Sequence, residues 1–407
     1  MQKKIIVLSS AAALSSFRGH SYNYHRAVRD SLSQVSLEYK VLIPQNNPIV
    51  NKEDLWEESL QVPTKLVGDI PSKLLRFYTY TYYALCITRS WVLFFRKFSK
   101  NTDVVVFYET GGNFLDETLI SLALKIFGKK PYALWYLIRG LPDTKKFLYL
   151  LKTSIFFAEF FSGRGRLKLC TDTVPLGEYL SIALKRNVIS LPIPHACNQS
   201  SAHKAQKKIG MDEIRIWGLS CIGENKGEQY LANLLKNIHQ TSSAKILVRS
   251  IFLEKNKIQS KPFIEQISVE LDAHEFKFLL ESCKVALLPY SGGGNNAYKL
   301  SSSGIFVDAV SAGLLPLVTK GTWMEFEVNR FNLSELVVDW SLYDNFSRLS
   351  GLIEALISSQ NTIRKLDNMR HSYCAMHSPN GFLEALFQNK FLTLSDFPKS
   401  KNSMGKF

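Results

Sequence analysis

The chain has 407 residues, 46% hydrophobic and 21% charged, which is the composition of a globular protein with sequence enough for two or three domains. Lysine and arginine outnumber aspartate and glutamate by 50 to 35, so the formal net charge is +15 and the expected partners are anionic. The cysteines contain no C-x-x-C pair, which argues against a disulfide framework or a zinc site and favours reduced, cytosolic thiols.

The N-terminal stretch MQKKIIVLSSAAALSSF supports two interpretations. Its two lysines, apolar run and small residues resemble a secretory signal. Alternatively, residues 4–9 form a buried strand, followed by a loop and a helix that starts near His20. We favour the strand, because the rest of the chain has the pattern of a cytosolic α/β enzyme. No uncharged run approaches the roughly 20 residues that a membrane span needs.

Short apolar runs alternate with longer helical patterns, which indicates βαβ units and parallel sheets. In the first half the pattern predicts strands near 4–9, 38–43, 103–108, 132–137, 167–171 and 188–191. The longest helix is expected from about Ser72 to Lys100. In the second half it predicts strands near 214–217, 245–249, 266–271, 284–289, 315–319 and 335–339. A mostly helical tail from Asn345 to Phe391 follows, and the last residues, KSKNSMGKF, are expected to be frayed.

The stretch LPIPHACNQSSAHKAQKK, rich in proline, serine and lysine, separates these halves and predicts a linker. We therefore expect two doubly wound α/β domains with a cleft between them, over residues 1–195 and 213–380. Residues 196–212 form the linker, and residues 381–407 form a helix and tail that can return to the first domain. His195, beside two prolines, is expected to be structural.

Open α/β sheets bind ligands beyond the carboxyl ends of their strands, so the loops there are the informative ones. In WGLSCIGENKGEQYLANLL (217–235) a strand ends at Trp217, a glycine-punctuated loop follows, and a helix begins after Gly227. Lys226 lies near that helix N-terminus, where a lysine can neutralise a diphosphate leaving group. The alternative is a solvated loop lysine. A Walker loop is excluded, because G-x-x-x-x-G-K-[ST] is absent.

The second loop lies in VALLPYSGGGNNAYKLSSSGIFVDAV (285–310), whose strand ends at Pro289. Ser302 or Ser303 can cap the following helix, and Gly304 lets a ligand approach the first-turn amides. Strand, glycine loop, serine cap and helix together favour a phosphate site. Other residues expected at this site are Tyr298, Lys299 and Gly218.

Asp308 is a carboxylate within an apolar helix, where it is costly unless it is paired or hydrogen-bonded. It lies just over one turn past the cap. It can therefore accept hydrogen bonds from the ribose of a nucleotide whose diphosphate sits on that cap. The alternative is a structural salt bridge to Lys299 or Lys320.

These motifs together resemble a known family. The segment LLPY…YKLSSSGIFVDAVSAGLLPLVTKGTW resembles the donor-binding segment of GT-B glycosyltransferases (group 1, family 4-like), whose usual form is close to PY…R-S-S-G-x-x-x-E-A-x-A-x-G-x-P-V-V. GLSCIGENKGEQYL is similar to the glycine loop of that fold, and LESCKVALLPY to the segment before the donor strand. GHSYNYHRAV (19–28) is similar to the loop and first helix of the acceptor domain.

The resemblance implies a GT-B fold of two Rossmann-like domains facing a central cleft. The N-terminal domain would bind the acceptor and the C-terminal domain the nucleotide sugar. The implied reaction is metal-independent transfer of a sugar from a nucleoside-diphosphate donor to a saccharide or lipid-linked acceptor, as in bacterial surface polysaccharide or glycolipid synthesis. By position, Asp308 would hold the ribose and Lys226 the diphosphate, with the Ser302–Gly304 cap. Gly19 and His20 would approach the reacting centre.

Three departures from the family pattern keep other functions open. Leu300 stands eight residues before Asp308, where many retaining members have an acid, and Asp308 itself replaces a glutamate. Cys221 stands where an arginine often precedes the loop lysine. These residues leave the anomeric outcome open, and they allow a non-catalytic, nucleotide-sugar-binding partner of another transferase or a GT-B-fold epimerase. A phosphorylase should carry a cofactor lysine site, which we do not find.

Two strand ends in the first half carry polar residues. VVVFYETGGNF places Glu109 after a strand, and Glu109 is the candidate general base if the enzyme inverts. YALWYLIRG places Arg139 after the next strand, where it can bind an acceptor or a diphosphate. The alternative for both is an ion pair or a helix cap.

Two segments, 76–100 and 145–168, interleave aromatic residues with lysine and arginine. This composition is typical of helices that lie in the headgroup region of an anionic bilayer, and the alternative is two core helices with solvated basic ends. We expect a cytoplasmic protein, peripheral to the inner face of the membrane. Nucleic acid is not an expected partner, because no binding motif is present and the basic residues are dispersed.

Overall fold

The computed structural model describes most of the chain in sixteen stretches. They are residues 5–10, 20–35, 37–44, 57–60, 72–98, 102–109, 116–126, 133–139, 145–163, 165–194, 214–237, 244–267, 271, 273–291, 297–343 and 345–392. The predicted linker 196–212, His195, Gly19 and the tail KSKNSMGKF lie outside the described residues.

The chain divides into two compact units. The first contains Met1–His195 together with Pro379–Phe407, and the second contains Ala196–Ser378.

The first unit alternates strands with helices. Its elements in chain order are β1 (Ile5–Ser10), α1 (His20–Ser33), β2 (Glu38–Pro44), β3 (Glu57–Leu60), α2 (Lys73–Arg96), β4 (Asp103–Glu109), α3 (Asp116–Ile126), β5 (Ala133–Leu137), α4 (Lys145–Ser162), β6 (Leu167–Thr171), α5 (Val174–Leu184) and β7 (Val188–Ser190). The strands form one parallel sheet in the order β3-β2-β1-β4-β5-β6-β7. The direction of winding reverses between β1 and β4, which is where such sheets bind ligands.

The second unit repeats the same plan. Its elements are β8 (Ile214–Trp217), α6 (Glu228–Lys236), β9 (Ala244–Arg249), α7 (Ser250–Lys255), β10 (Ile264–Ile267), α8 (Ala273–Glu281), β11 (Val285–Leu288), α9 (Ala297–Leu300), α10 (Gly304–Ala312), β12 (Leu315–Thr319), α11 (Trp323–Arg330), β13 (Val337–Val338), α12 (Phe346–Ser358) and α13 (Gln360–Met376). The parallel sheet has the order β10-β9-β8-β11-β12-β13, so its reversal point lies between β8 and β11. The last helix, α14 (Pro379–Gln388), belongs to the first unit.

Each unit has its own apolar core. In the first, α1 and α14 pack together, and Leu32, Phe107 and Leu386 are fully buried. In the second, β11 is buried along its whole length and α10 contributes Phe306, Val307 and Val310. Continuous apolar strands are expected when helices cover both faces of a parallel sheet.

The structure corrects three element predictions. It adds β3, whose sequence EESL has neither β-branched residues nor alternation and which pairs with β2 alone at the sheet edge. It shifts the predicted strand 266–271 toward the N-terminus, because β10 runs from Ile264 to Ile267 and so begins two residues and ends four residues before the predicted bounds. It also shortens the predicted strand 335–339 to Val337–Val338. The N-terminal stretch forms the strand that we favoured, at residues 5–10 between β2 and β4. Among the described helices, none is long and apolar enough to cross a bilayer.

Candidate functional site

Two loops meet at the reversal point of the second sheet. Strands β8 and β11 are neighbours there, with Trp217 paired to Ala286, so the loops that follow them leave the same edge of the sheet. These are the two loops that the sequence singles out. The predicted donor segments are therefore brought together by the strand order.

The β8 loop is ordered by a carboxylate. Glu228, the first residue of α6, accepts a hydrogen bond from the Gly223 backbone N–H at 2.7 Å, and its other oxygen accepts from Lys255 Nζ at 2.7 Å. The Lys255 and Gly223 hydrogen bonds lower the pKa of Glu228. Glu228 therefore stays ionised at neutral pH and holds the loop that carries Lys226. The sequence analysis missed this residue, although an acid in the first turn of a helix is a recognisable signal.

The two loops are packed directly on each other at Gly227. This glycine has φ +75, and a Cβ placed on it would lie 2.3 Å from the Pro289 carbonyl oxygen. Two residues past Pro289, the Ser291 N–H donates to the Asn225 carbonyl at 3.1 Å. The Lys226–Gly227 turn is thus held against the end of β11.

Lys226 is the last residue of a short 3-10 turn (Glu224–Lys226) and is half-buried. Burial lowers the pKa of its ammonium, and the neighbouring Cys221 partly offsets this effect. Burial also raises the pKa of the Cys221 thiol to about 12. Cys221 is fully buried and its sulfur lies 3.5 Å from the Leu287 carbonyl oxygen, so it contributes no charge at the position where the family often has arginine.

Tyr290, just past the end of β11, lies near the N-terminal cap of α10. Its hydroxyl is buried, which raises its pKa, while the nearby Ser220 and Ser303 side chains act in the opposite direction. Ser303 is the N-cap of α10, and its hydroxyl accepts from the Phe306 N–H at 3.4 Å. Tyr290 therefore lies beside both the β8 loop and the cap, and the sequence analysis did not assign it a role.

Helix α10 has its capped N-terminus and a carboxylate on one face. Gly304 is its first residue, and the first-turn N–H groups of a helix have no intrahelical acceptor. Asp308 lies one turn further on the same face, about 6 Å along the axis. It is half-buried, whereas the residues on either side of it are buried.

The remaining predicted donor residues have mixed positions. Ser302 precedes the cap and is half-buried, and Lys299 is exposed. Tyr298 packs on Tyr290 with ring centroids 4.5 Å apart. Gly218 lies at the end of β8, where a Cβ would be 3.0 Å from the Leu247 carbonyl oxygen, so backbone packing alone accounts for this glycine.

The first unit has a polar cluster at the reversal point of its own sheet. Glu109, at the end of β4, accepts from Arg139 Nη1 at 2.9 Å and lies 3.2 Å from His25 Nε2 of α1. The other His25 nitrogen is 2.7 Å from the Tyr39 hydroxyl. The two residues predicted separately at strand ends are thus ion-paired, and His25 joins them.

Arg139 is the centre of this cluster. Its Nε lies 3.6 Å from Asp172 Oδ2, just past β6, and its Cζ lies 4.0 Å from the centroid of the Tyr24 ring. Burial acts to raise the pKa of Glu109, but Arg139 and His25 together lower it below the usual value. Glu109 is consequently an ionised and weakly basic carboxylate.

His20 is the first residue of α1, and Gly19 lies outside the described residues. The structure therefore places Gly227, next to Lys226, against Pro289, and Tyr290 near the Ser303 cap, in the second unit, and it pairs Glu109 with Arg139 in the first. The roles assigned to these residues stay predictions.

The comparisons with known proteins found similar structures but no match in sequence. No family profile matches the chain, and no curated protein matches it. It is similar to a glycosyltransferase from Rickettsia africae ESF-5, with 11% identity, 96% of this chain and 97% of that one covered, and a TM-score of 0.62. It is also similar to an α,α-trehalose-phosphate synthase (UDP-forming) from Burkholderia xenovorans in complex with glucose-6-phosphate (11% identity, 95% and 99% covered, TM-score 0.63).

A third similar structure is the N-terminal domain of a Candida albicans trehalose-6-phosphate phosphatase, with 8% identity, 96% and 97% covered, and a TM-score of 0.61. The likeness extends over both units, each of which has the doubly wound strand order. The chain has the GT-B fold. The predicted fold class, two doubly wound Rossmann-like units, is thereby confirmed. A GT-B fold does not by itself define an activity, which has to be argued from the site.

Proposed function

We propose that this chain is a glycosyltransferase that moves a sugar from a nucleoside-diphosphate donor to a saccharide or lipid-linked acceptor. One observation supports it above the others. The capped N-terminus of α10 and the Lys226 turn share the Pro289–Tyr290 segment at the reversal point of one sheet. A helix N-terminus and a lysine on adjoining loops are the elements that a diphosphate requires.

In this proposal the nucleotide lies along α10. The ribose hydroxyls donate to Asp308, and the diphosphate lies about 6 Å away at the first-turn amides of Gly304 and Ile305. When the sugar–phosphate bond breaks, negative charge develops on the departing diphosphate. The Lys226 ammonium and the helix N-terminus stabilise that charge, and the half-buried position of Lys226 strengthens the interaction, because water screens it less.

The acceptor side of the proposal rests on the Glu109–Arg139 cluster. Two carboxylates, Glu109 and Asp172, surround one guanidinium, so the cluster as a whole is not cationic. Such a group suits the hydroxyls of a saccharide, because carboxylates accept hydrogen bonds from hydroxyls and a guanidinium donates hydrogen bonds to them. Because its pKa is lowered, Glu109 is better suited to orienting an acceptor hydroxyl than to removing its proton.

The biological setting that we propose is the synthesis of a surface polysaccharide or glycolipid. The similar structures include a UDP-forming synthase bound to glucose-6-phosphate, which is consistent with a sugar donor and a saccharide acceptor. A lipid-linked acceptor lies at a bilayer surface. The proposal therefore puts the chain in the cytoplasm, peripheral to the inner face of the membrane.

A second candidate is a nucleotide-sugar-binding partner that does not catalyse transfer. Cys221 favours it, because a buried neutral thiol stands where a second cation would otherwise help the diphosphate to leave. A similar structure from a protein named as a phosphatase also illustrates that the fold occurs outside transferases.

A nucleotide titration tests the donor site. The thermal shift of the wild-type protein is measured with UDP, GDP, ADP and CDP, alongside Lys226→Ala and Asp308→Ala. Lys236→Ala is the matched control, because Lys236 is an exposed lysine at the far end of α6. We expect one nucleoside diphosphate to stabilise the wild type and the control, with the shift reduced in both site variants. If no nucleotide stabilises the wild type, the donor-site assignment is wrong.

Transfer is tested separately with the radiolabelled sugar of the nucleotide that binds. Label that reaches total lipid or polysaccharide acceptors supports the transferase. Nucleotide binding without any incorporation of label favours the non-catalytic partner.

A further inference from the structure

Helices α2, α3 and α4 form a single layer on one face of the first sheet. Each connects a strand to one lying further along the same direction of the sheet, and right-handed crossovers in one direction place their helices on one face. Helix α3 packs against both α2 and α4. The two aromatic segments that the sequence singled out are therefore parts of one surface, with α3 between them.

Helix α2 has apolar side chains on both of its sides. Its inner side is buried through Ile87, Trp91, Phe94 and Phe95. Its outer side exposes apolar residues at helical spacing, namely Leu75, Tyr78, Tyr82 and Leu85, with Phe77 and Leu93 beside them. Tyr78 is 70% exposed and Phe77 is 74% exposed. A surface helix with water on its outer side is normally polar there.

Helix α4 repeats the arrangement. Leu151, Ile155 and Ala158 are buried on one side. The other side exposes Tyr149, Leu150, Phe156, Phe157 and Phe160, and Ile126 at the end of α3 is exposed as well. More than half of the exposed large apolar side chains in the described part of the chain lie on these three helices. The apolar exposure is thus concentrated on one face, and such patches mark interaction sites.

The same face is basic. Helix α2 has no acidic residue, and the only acid of α4, Glu159, is ion-paired with Arg186 at 2.7 Å. Exposed cations border the aromatic residues at Arg89, Arg96, Lys97, Lys125, Lys145, Lys146 and Lys152. Lys125 Nζ lies 4.7 Å from the centroid of Phe160. The occupant of this face must be apolar in part and negatively charged in part.

We propose that the α2–α3–α4 face binds the surface of an anionic lipid bilayer. Aromatic side chains with adjacent lysine and arginine insert at the headgroup level, where apolar area and attraction to anionic lipid add together. A second copy of the chain fits less well, because a symmetric contact would bring these cations against the same cations of the partner. The proposal deepens the proposed function by naming where its acceptor would be met, and it concerns residues outside the donor site.

Vesicle flotation of the full chain tests this surface. Vesicles of phosphatidylcholine alone are compared with vesicles containing phosphatidylglycerol, at low and high salt. The variant carries Phe77→Ser, Tyr78→Ser, Phe156→Ser and Phe160→Ser. The control carries Ile251→Ser and Phe278→Ser, at positions that are 65% and 55% exposed and lie in the second unit.

We expect the wild type and the control to float with anionic vesicles and to be released by high salt. The four-residue variant should bind roughly tenfold or more weakly, since each buried aromatic ring contributes to partitioning. Its thermal unfolding midpoint should match the wild type, because the replaced rings are exposed.

Three results would overturn the proposal. In the first, the wild type does not float with anionic vesicles. In the second, vesicle binding by the control is weakened as much as that by the variant. In the third, light scattering shows a wild-type dimer that is lost only in the variant. The last result would identify the face as a contact between copies. Since the nucleotide titration is done without lipid, failure here leaves the donor-site result standing, and the reverse also holds.

Discussion

Replacing Gly227 with alanine tests whether the two donor loops are held together as described. Gly227 has φ +75, a conformation that costs an L-residue about 1–2 kcal/mol. The new Cβ would lie 2.3 Å from the Pro289 carbonyl oxygen, 2.5 Å from its Cγ and 2.8 Å from its Cβ. All three contacts are far too short, and none involves a flexible side-chain end, so one of the loops must move.

A control variant separates the conformational part of this loss of stability from the steric part. Overpacking of a tight contact adds about 1–3 kcal/mol, so Gly227→Ala should lower the free energy of unfolding by about 2–5 kcal/mol. Gly321→Ala is the matched variant. Gly321 has φ +80 in the same unit, with nothing within 4 Å of its would-be Cβ, so it should cost only the conformational part.

Urea unfolding of both variants gives the comparison, followed by nucleotide thermal shift at a temperature where each is folded. Gly227→Ala should be less stable than Gly321→Ala and should also lose the nucleotide-dependent shift, because Lys226 moves with the loop. Equal destabilisation of the two variants would refute the close packing of Gly227 on Pro289. An unchanged nucleotide-dependent thermal shift in Gly227→Ala would show that ligand binding does not depend on this packing.

Three further predictions concern single side chains. Ser303→Ala should cost about 1 kcal/mol of stability through the lost cap of α10, and it should weaken nucleotide binding measured by calorimetry. The control Thr322→Ala removes the cap of α11 at a similar cost in stability and should leave nucleotide affinity unchanged. Because burial lowers the pKa of Lys226 below its usual 10.5, nucleoside diphosphate affinity should fall as pH rises toward that value, and the Lys226→Ala variant should show a flat profile over the same range. Glu109→Gln should lower the free energy of unfolding by about 1–3 kcal/mol at neutral pH, since Arg139 loses a charged acceptor. The lowered pKa of Glu109 makes its contribution full above the unfolded-state pKa and lost as pH falls through the folded one, so the gap between wild type and variant in urea unfolding should close in acid. A gap that persists there would contradict the ion pair.

The strand positions were predictable because each buried strand of a parallel sheet is a short continuous apolar run. β4 and β12 lie within a residue of their predicted spans. β3 was not predictable in this way, because EESL carries no such run and forms a strand only by pairing with β2. Local pattern thus identifies buried strands and misses edge strands, whose stability comes from a neighbour.

The candidate site divides in the same manner. The Ser303 cap could be proposed from sequence, because capping depends on residues that are adjacent in the chain. Tyr290 and Glu228 were overlooked, since their importance arises from the loops they touch. Cys221 could be recognised as unusual, but its burial against the Leu287 carbonyl required the fold.

By itself, the sequence determined the two α/β units, the glycine- and serine-containing loops after β8 and β11, and the basic aromatic helices. These properties depend on spacing along the chain, because a helix or a strand places residues at a regular spacing on one of its faces. Only the tertiary structure decided which of these features are neighbours. It placed Gly227 on Pro289, paired Glu109 with Arg139 and His25, and joined α2 to α4 through α3. Contacts between residues distant in sequence follow from strand order and packing, and neither is written in any local stretch of the chain.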